Sequence, residues 1–348
     1  MMLALGVAFI GAQDDDPGVL NIYSARHYGA MEAPFVQFQE DTGIEVRVSA
    51  GSPRDLLTRL RADLERGDRS VADLFLSIDA GTLDIAAEEG LFAQVESDIL
   101  TENIAEPFRS PENYWYGLSI RPRSLVYNPE NVTEEELASI NNYEDMAADI
   151  WEGRACMRPA AHIYTVSLFS SVLYNQGEEV AADTLNGVAN NVTRYINSDT
   201  RTIEAVAAGE CDIAFVNYYY VARLAKGDEA AQDTFNSIAL KWMGQGEDGT
   251  GVFFNINGAG VVRNAANYDN AVRFIEYMSQ PENQCGSVEC FPGSNNEYPT
   301  NPTVEPNETL QSFGEFEYGT GYPLWEYGAY QQRTVELLEE AGFGFEEN

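Results

Sequence analysis

Histidine is nearly absent from this sequence: His27 and His162 are the only two among 348 residues. That scarcity removes most nucleophilic catalysis, because serine and cysteine nucleophiles need a positioned base, usually an imidazole. It also removes the imidazole sites that zinc and copper prefer. The four cysteines include no CxxC pair, so a thiolate metal site has no scaffold. No GxSxG, P-loop or HExxH motif occurs. Basic residues are few: 20 Lys and Arg stand against 56 Asp and Glu, a formal charge of −36. Nucleic acid and anionic membranes need a basic face and are therefore poor partners. Beyond the first dozen residues no apolar run reaches transmembrane length. Internal repeats and low-complexity linkers are missing too.

What is present is a well-filled core, with 44% hydrophobic residues, on a chain too long for one compact lobe. Residues 2–12 (MLALGVAFIGA) form a short apolar run ending in small residues, and QDDDPG follows at once. A run this short reads as the hydrophobic part of a secretory signal. No cysteine stands at the cleavage zone to carry a lipid anchor. Export agrees with retained disulfides. Of the three possible connectivities, Cys156–Cys211 with Cys285–Cys290 is the expected one: the second pair closes a small loop, and both members of the first open apparent strands. The acidic excess reads as a solvated surface that keeps the protein soluble and suits a salty habitat, where screening relieves self-repulsion.

The leader gives way to alternating strands and amphipathic helices. Residues 19–26 (VLNIYSAR) read as a strand, 32–42 as a helix stopped by Gly43, and 44–51 as a second strand. A helix over 54–66 and a strand over 72–79 complete a βαβαβ rhythm, which implies a parallel sheet flanked by helices. The stretch 115–132 (WYGLSIRPRSLVYNPENV) is predicted to cross to a second lobe through a strand at 124–127. A second βα series follows: ACMRPA, a helix over 165–175, and DIAFVNYYYVARLA at 212–225. Glycine-rich 249–262 reads as the return crossing, and a last helix covers 331–341. The expected division is 1–17 as signal remnant and acidic leader, 18–122 plus about 250–284 as lobe 1, and 123–249 plus about 285–348 as lobe 2.

In open α/β sheets ligands bind beyond the carboxyl ends of the strands. Arg26, His27 and Tyr28 end the first strand and Asp79 ends the third. Tyr164 opens a helix after a strand, and Tyr218, Tyr219 and Tyr220 stand in a row where a strand yields to a helix. A phenol titrates near ~10 and ionises at neutral pH only beside strong positive charge. Ferric iron supplies such charge, and phenolate is a hard anionic ligand suited to it. Arg26, Arg121 and Arg223 are placed to settle any excess of negative charge. Tyrosine is common here, however, at 19 residues, and runs of it often serve packing. The same mouths also admit a sugar or organic cation, with Trp115 lining the cleft, or an anion held by Arg26, Arg121 and Ser167. A secreted hydrolase using Asp79 and Glu204 as acid and base is the enzymatic alternative.

At these residues the chain resembles the ferric-iron-binding periplasmic proteins of bacterial ABC importers, most of all the cyanobacterial-type branch with tyrosine-rich sites. The resemblance runs through NIYSARHY, ADLFLSIDAGTLDIAAEEGLF, YGLSIRPRSLVYNPE, GRACMRPAAHIYTVSL, GECDIAFVNYYYVARL, NGAGVV and NNEYPTNP, in order over nearly the whole mature chain. It implies a class II periplasmic binding protein fold: two α/β lobes, each a mixed sheet flanked by helices, joined by two crossing hinge strands. It implies a non-enzymatic, monomeric, periplasmic solute carrier of the Gram-negative type, delivering Fe(3+) to a permease and its ATPase. Carried over residue by residue, Tyr28 and Tyr164 match ligands, and Asn217 sets the paired ligands at Tyr219 and Tyr220. Tyr218 leaves a one-residue question of register, and His27 matches a histidine that binds in some members only. Where some relatives carry a glutamate ligand this chain has Ile78, with Asp79 beside it. The resemblance therefore implies a phenolate-dominated shell completed by carbonate or water.

Overall fold

A computed structural model describes residues 17–26, 33–67, 71–247, 249–284 and 295–347. The leader expected at 1–17, apart from Pro17, together with His27, Tyr28, Cys285 and Cys290, lies outside the described residues.

The first half of the chain runs β1 (Val19–Ser24), α1 (Ala33–Thr42), β2 (Glu45–Ala50), α2 (Pro53–Glu65), β3 (Leu74–Ser77), α3 (Ala80–Glu88), α4 (Asp98–Asn103) and β4 (Tyr116–Tyr127). The second runs α5 (Glu134–Ser139), β5 (Ala155–Met157), α6 (Ile163–Gln176), α7 (Glu178–Asn191), β6 (Val192–Tyr195), α8 (Asp199–Ala207), β7 (Ile213–Asn217), α9 (Tyr218–Ala225), α10 (Glu229–Asn236) and β8 (Ala239–Trp242). The chain then returns through β9 (Phe254–Val261), α11 (Tyr268–Ser279), α12 (Glu308–Gln311) and α13 (Tyr327–Glu340).

Strands β1, β2 and β3 are parallel, as the βαβ rhythm requires, and β9 closes on β3 antiparallel. Side chains alternate across this sheet. Leu20, Ile22, Leu74 and Leu76 bury on one face with Phe35, Phe38 and Phe274, while Tyr23 and Phe75 bury on the other. Helix α2 starts where Ser52 accepts the Asp55 N–H, and α3 where Asp79 accepts the Thr82 N–H at 2.7 Å.

The crossing strand is longer than its predicted core at 124–127. Over Tyr116–Pro122 β4 pairs with β9; from Arg123 onward it pairs with β7 and β8. One strand thus carries hydrogen bonds of both half-sheets, and parallel β5, β6 and β7 complete the second. Gly260 of β9 lies against Phe92: a Cβ there would stand 2.5 Å from the Phe92 ring, so the glycine serves this packing. The expected Cys156–Cys211 disulfide is present, bridging β5 to the segment two residues ahead of β7.

Helix α13 packs on both α3 and α6 and so touches both halves. At that contact Asp84 of α3 is 5% exposed; no well-formed hydrogen bond reaches its Oδ2 among the described residues, and the Gly328 N–H offsets only part of its burial. The contact is close because residue 328 is glycine; a Cβ there would come within 2.9 Å of Oδ2. Burial, reinforced by Glu88, pushes the Asp84 carboxyl up to about 7. An unfolded aspartate titrates near ~4. Between these values the folded state holds the extra proton, so stability falls as pH rises through the window from about 4 to about 7. Asp84→Asn is expected to abolish this slope. It should gain about 2 kcal/mol at pH 8, half the full linkage value because water reaches partly buried groups, and nothing at pH 4. Urea unfolding at the two pH values checks it.

Candidate metal centre

Strands β5 and β7 are parallel neighbours, so their carboxyl ends open on the same side. After β5 the chain turns through Pro159 and Ala160 into α6, where His162 caps the helix by accepting the Tyr164 N–H at its Nδ1, 3.2 Å away. At the end of β7 the switch from strand to helix falls between Asn217 and Tyr218. The two turns bring the Tyr164 and Tyr219 hydroxyls to 3.2 Å from each other, both rings being buried. The Tyr220 ring lies 4.5 Å from that of Tyr219, tilted by 32°.

Tyr218 turns the other way. Its hydroxyl donates to the Asn296 carbonyl at 2.5 Å, and its ring packs on Trp242 and Tyr298. Consecutive residues at a helix start point about 100° apart, so one of three adjacent tyrosines is turned into the core.

Arg121 joins the phenols. Standing on β4, it donates from Nη2 to the Tyr164 hydroxyl at 2.8 Å and to the Tyr219 hydroxyl, and from Nη1 to the Ile78 carbonyl at 3.2 Å. Arg123 and Arg158 flank the Tyr164 ring, and Arg223 lies over the Tyr220 ring at 5.0 Å. Arg26, at the end of β1, is buried and pairs with Glu297 at 3.5 Å. Two buried carboxylates balance part of this charge. Asp199 binds Arg158 at 2.7 Å and faces Arg123 at 3.6 Å; Glu297 faces Arg26 and Arg121. Burial alone would raise both carboxyls, but the arginines more than offset it and hold them below the ordinary value. Among the described residues, five guanidinium groups and two carboxylates surround the phenols.

Burial raises the Tyr219 and Tyr220 hydroxyls well above an ordinary phenol; at Tyr219 the Arg121 charge offsets only part of this. Without cargo, the Arg121 guanidinium faces a Tyr219 phenol that burial holds protonated. An ion could be held here only by displacing phenolic protons, and the neighbouring arginines would favour the phenolates that result. Among the described residues no three His, Cys, Asp or Glu side chains gather to hold a metal.

Other residues singled out in the sequence have different places. Trp115 is fully buried in the core and lines no cleft. Ser167 donates to the Ile163 carbonyl of its own helix, which removes it from any anion site. Asp79 does point away from the phenols: it caps α3 and accepts from Asn255 and Gln331. Glu204 is exposed on α8, so the acid–base pair of a hydrolase is not assembled from these two. Glu297 and Asp199 were missed. Each is one acid among 56, and only the Ser-Asp helix start at 198–199 offered a signal.

Residues 22–284 match the bacterial extracellular solute-binding protein family. Iron uptake protein A1 of Synechocystis sp. is 35% identical over 94% of this chain and 89% of its own length. A Trichodesmium FutA structure in complex with iron and citrate superposes with a TM-score of 0.82 at 33% identity, covering 94% of this chain and 100% of that one. The ferric binding protein of Campylobacter jejuni superposes with a TM-score of 0.85 at 31% identity, covering 93% and 99%. With these matches the two half-sheets joined through β4 are the two lobes of a periplasmic binding protein, and the chain belongs to the bacterial extracellular solute-binding protein family.

Proposed function

We propose that this protein is the solute-binding component of an ABC importer, taking up ferric iron in the cleft between its lobes through tyrosine phenolates. The observation that carries the reading is the convergence of the buried Tyr164 and Tyr219 hydroxyls on one guanidinium, with Tyr220 alongside. Iron-binding names among relatives of this similarity support it. The proposed ligands are Tyr28, Tyr164, Tyr219 and Tyr220. Arg26, Arg121 and Arg223 balance charge, His27 stands beside Tyr28, and Tyr218 packs. Carbonate, another small anion or water completes the shell.

The lobes we propose are 18–122 with about 250–284, and 123–249 with about 285–348. The change of β4 partner between Pro122 and Arg123 supports the first boundary. Thr300 and Tyr298 bond to Gly117 and Ile120, so the stretch from 295 begins against the first lobe. The protein acts as a monomer in the periplasm, without turnover, closing on its cargo by hinge motion and handing it to a permease driven by an ATPase. No helix among the described residues is long and apolar enough to cross a membrane.

Titrating metal-stripped protein with ferric nitrilotriacetate tests the reading. A visible phenolate-to-iron band saturating at one iron per chain is expected. A protein that stays colourless and leaves the iron on the chelator would overturn it.

A further inference from the structure

Glu297 has no part in the ligand set above, yet it is 1% exposed and meets four polar side chains beside the phenols. Its Oε2 accepts from the Ser119 hydroxyl and faces Arg26 Nη1 at 3.5 Å. Its Oε1 accepts from Asn295 Nδ2 at 2.5 Å and faces Arg121 Nε at 3.4 Å. Asn295 in turn accepts from Arg223 of α9. The backbone holds the carboxylate there, because Tyr298 exchanges both backbone hydrogen bonds with Ile120 of β4, at 2.8 and 3.2 Å. One carboxylate therefore addresses the first lobe through Arg26, the crossing strand through Arg121 and Ser119, and the second lobe through Asn295 and Arg223.

We propose that Glu297 is a positioning residue for the cargo site, acting through Arg121; this rests on the ferric-iron reading above. It is not itself a ligand: both oxygens are already engaged, and the Arg121 guanidinium stands between it and the phenols. Arg121 spreads its contacts over two faces. Its Nε side faces Glu297, while Nη2 reaches both phenols. The Nε contact is an ion pair without a hydrogen bond, so the carboxylate acts on Arg121 through its charge, and because a guanidinium is planar and rigid, a pull on one edge turns the other. Without the carboxylate, Arg26 and Arg121 would be two buried like charges with one neutralising partner fewer. Their mutual repulsion would drive Arg121 off its present line to Tyr164 and Tyr219. Partners that orient the groups around a metal commonly matter 10- to 100-fold in affinity.

The test compares Glu297→Gln, which keeps shape and removes charge, with the milder Ser119→Ala. Ser119→Ala keeps the question open to experiment if the first variant folds poorly. Glu297→Gln is expected to bind ferric iron roughly 10- to 100-fold more weakly, with its visible band moved to longer wavelength, because phenolates released from Arg121 are stronger donors. Ser119→Ala should show the same shift in smaller measure. A merely structural role would lower the melting temperature and leave the band where it was. Unchanged affinity, or weaker binding with an unmoved band, would overturn the proposal. A second readout does not depend on iron: exchange protection of the Arg121 guanidinium protons in metal-free protein, followed by NMR. Protection lost in Glu297→Gln supports positioning, and protection retained overturns it, even if the wild-type protein were to prove indifferent to iron.

Discussion

Tyr219→Phe should abolish or strongly shift the visible iron band and lower ferric affinity by roughly a hundred- to a thousandfold, about one ligand's share of a tight metal site. The substitution keeps the ring, which packs beside Tyr218 and Tyr220, and removes the hydroxyl that meets both Arg121 and Tyr164. The loss is therefore chemical rather than a failure of packing. Its pH dependence follows from burial. The Tyr219 proton is held well above the ordinary phenol range, so iron must displace it, and wild-type affinity should rise with pH. Taking this phenol away should lower the number of protons released per iron by about one. Competition against nitrilotriacetate across pH measures affinity and slope together. Tyr218→Phe is the contrasting variant. Its hydroxyl bonds to the Asn296 carbonyl, away from the other phenols, so the band should stay and only about 1 kcal/mol of stability should go. An unshifted band in Tyr219→Phe together with a lost band in Tyr218→Phe would move the ligand register by one residue.

Removing the Cys156–Cys211 disulfide should cost the second lobe about 4 kcal/mol. The bridge closes a loop of 55 residues of sequence separation, and loop-closure entropy at that length accounts for the magnitude. The loop includes β6 and the helices α6, α7 and α8, so the constraint falls within the second lobe. The bridged strands are also those whose carboxyl ends deliver Tyr164 and Tyr219. Loosening them should weaken iron binding alongside stability. Urea unfolding of the double serine variant, followed by a probe in each lobe because two lobes need not unfold in one step, checks the magnitude and its location. A loss under about 1 kcal/mol would mean that the denatured chain keeps this loop compact.

The parts of the site legible beforehand were those with a local signature. IAFV is a β-branched and aromatic run, and the helix after Asn217 is announced by the loss of that pattern, so the tyrosine row was placed at a strand end correctly. Cys156 and Cys211 were paired because each stands where a strand appears to open, and β5 and β7, lying side by side, bring these positions within reach. Trp115 and Ser167 entered only the alternative readings of the cleft, and the structure gives both other places. Near a crossing or a helix start, an inward and an outward side chain look alike in sequence, and packing alone separates them. Glu297 is 176 residues from the Arg121 it faces, and no local pattern links positions so far apart.

The sequence by itself determined the class of protein and the chemistry on offer: little histidine, no thiolate pair, an acidic surface, alternating βα units and phenols at strand ends. Those properties are local or compositional, set by propensity, periodicity and the kinds of atom present. Only the tertiary structure decided which tyrosines meet, that Arg121 donates to both of their hydroxyls, and that Asp199 and Glu297 are the buried acids that face the arginines around them. The reason is that a buried charge is tolerated only where a partner from a distant segment meets it, and that meeting exists only once strands far apart in the chain lie side by side.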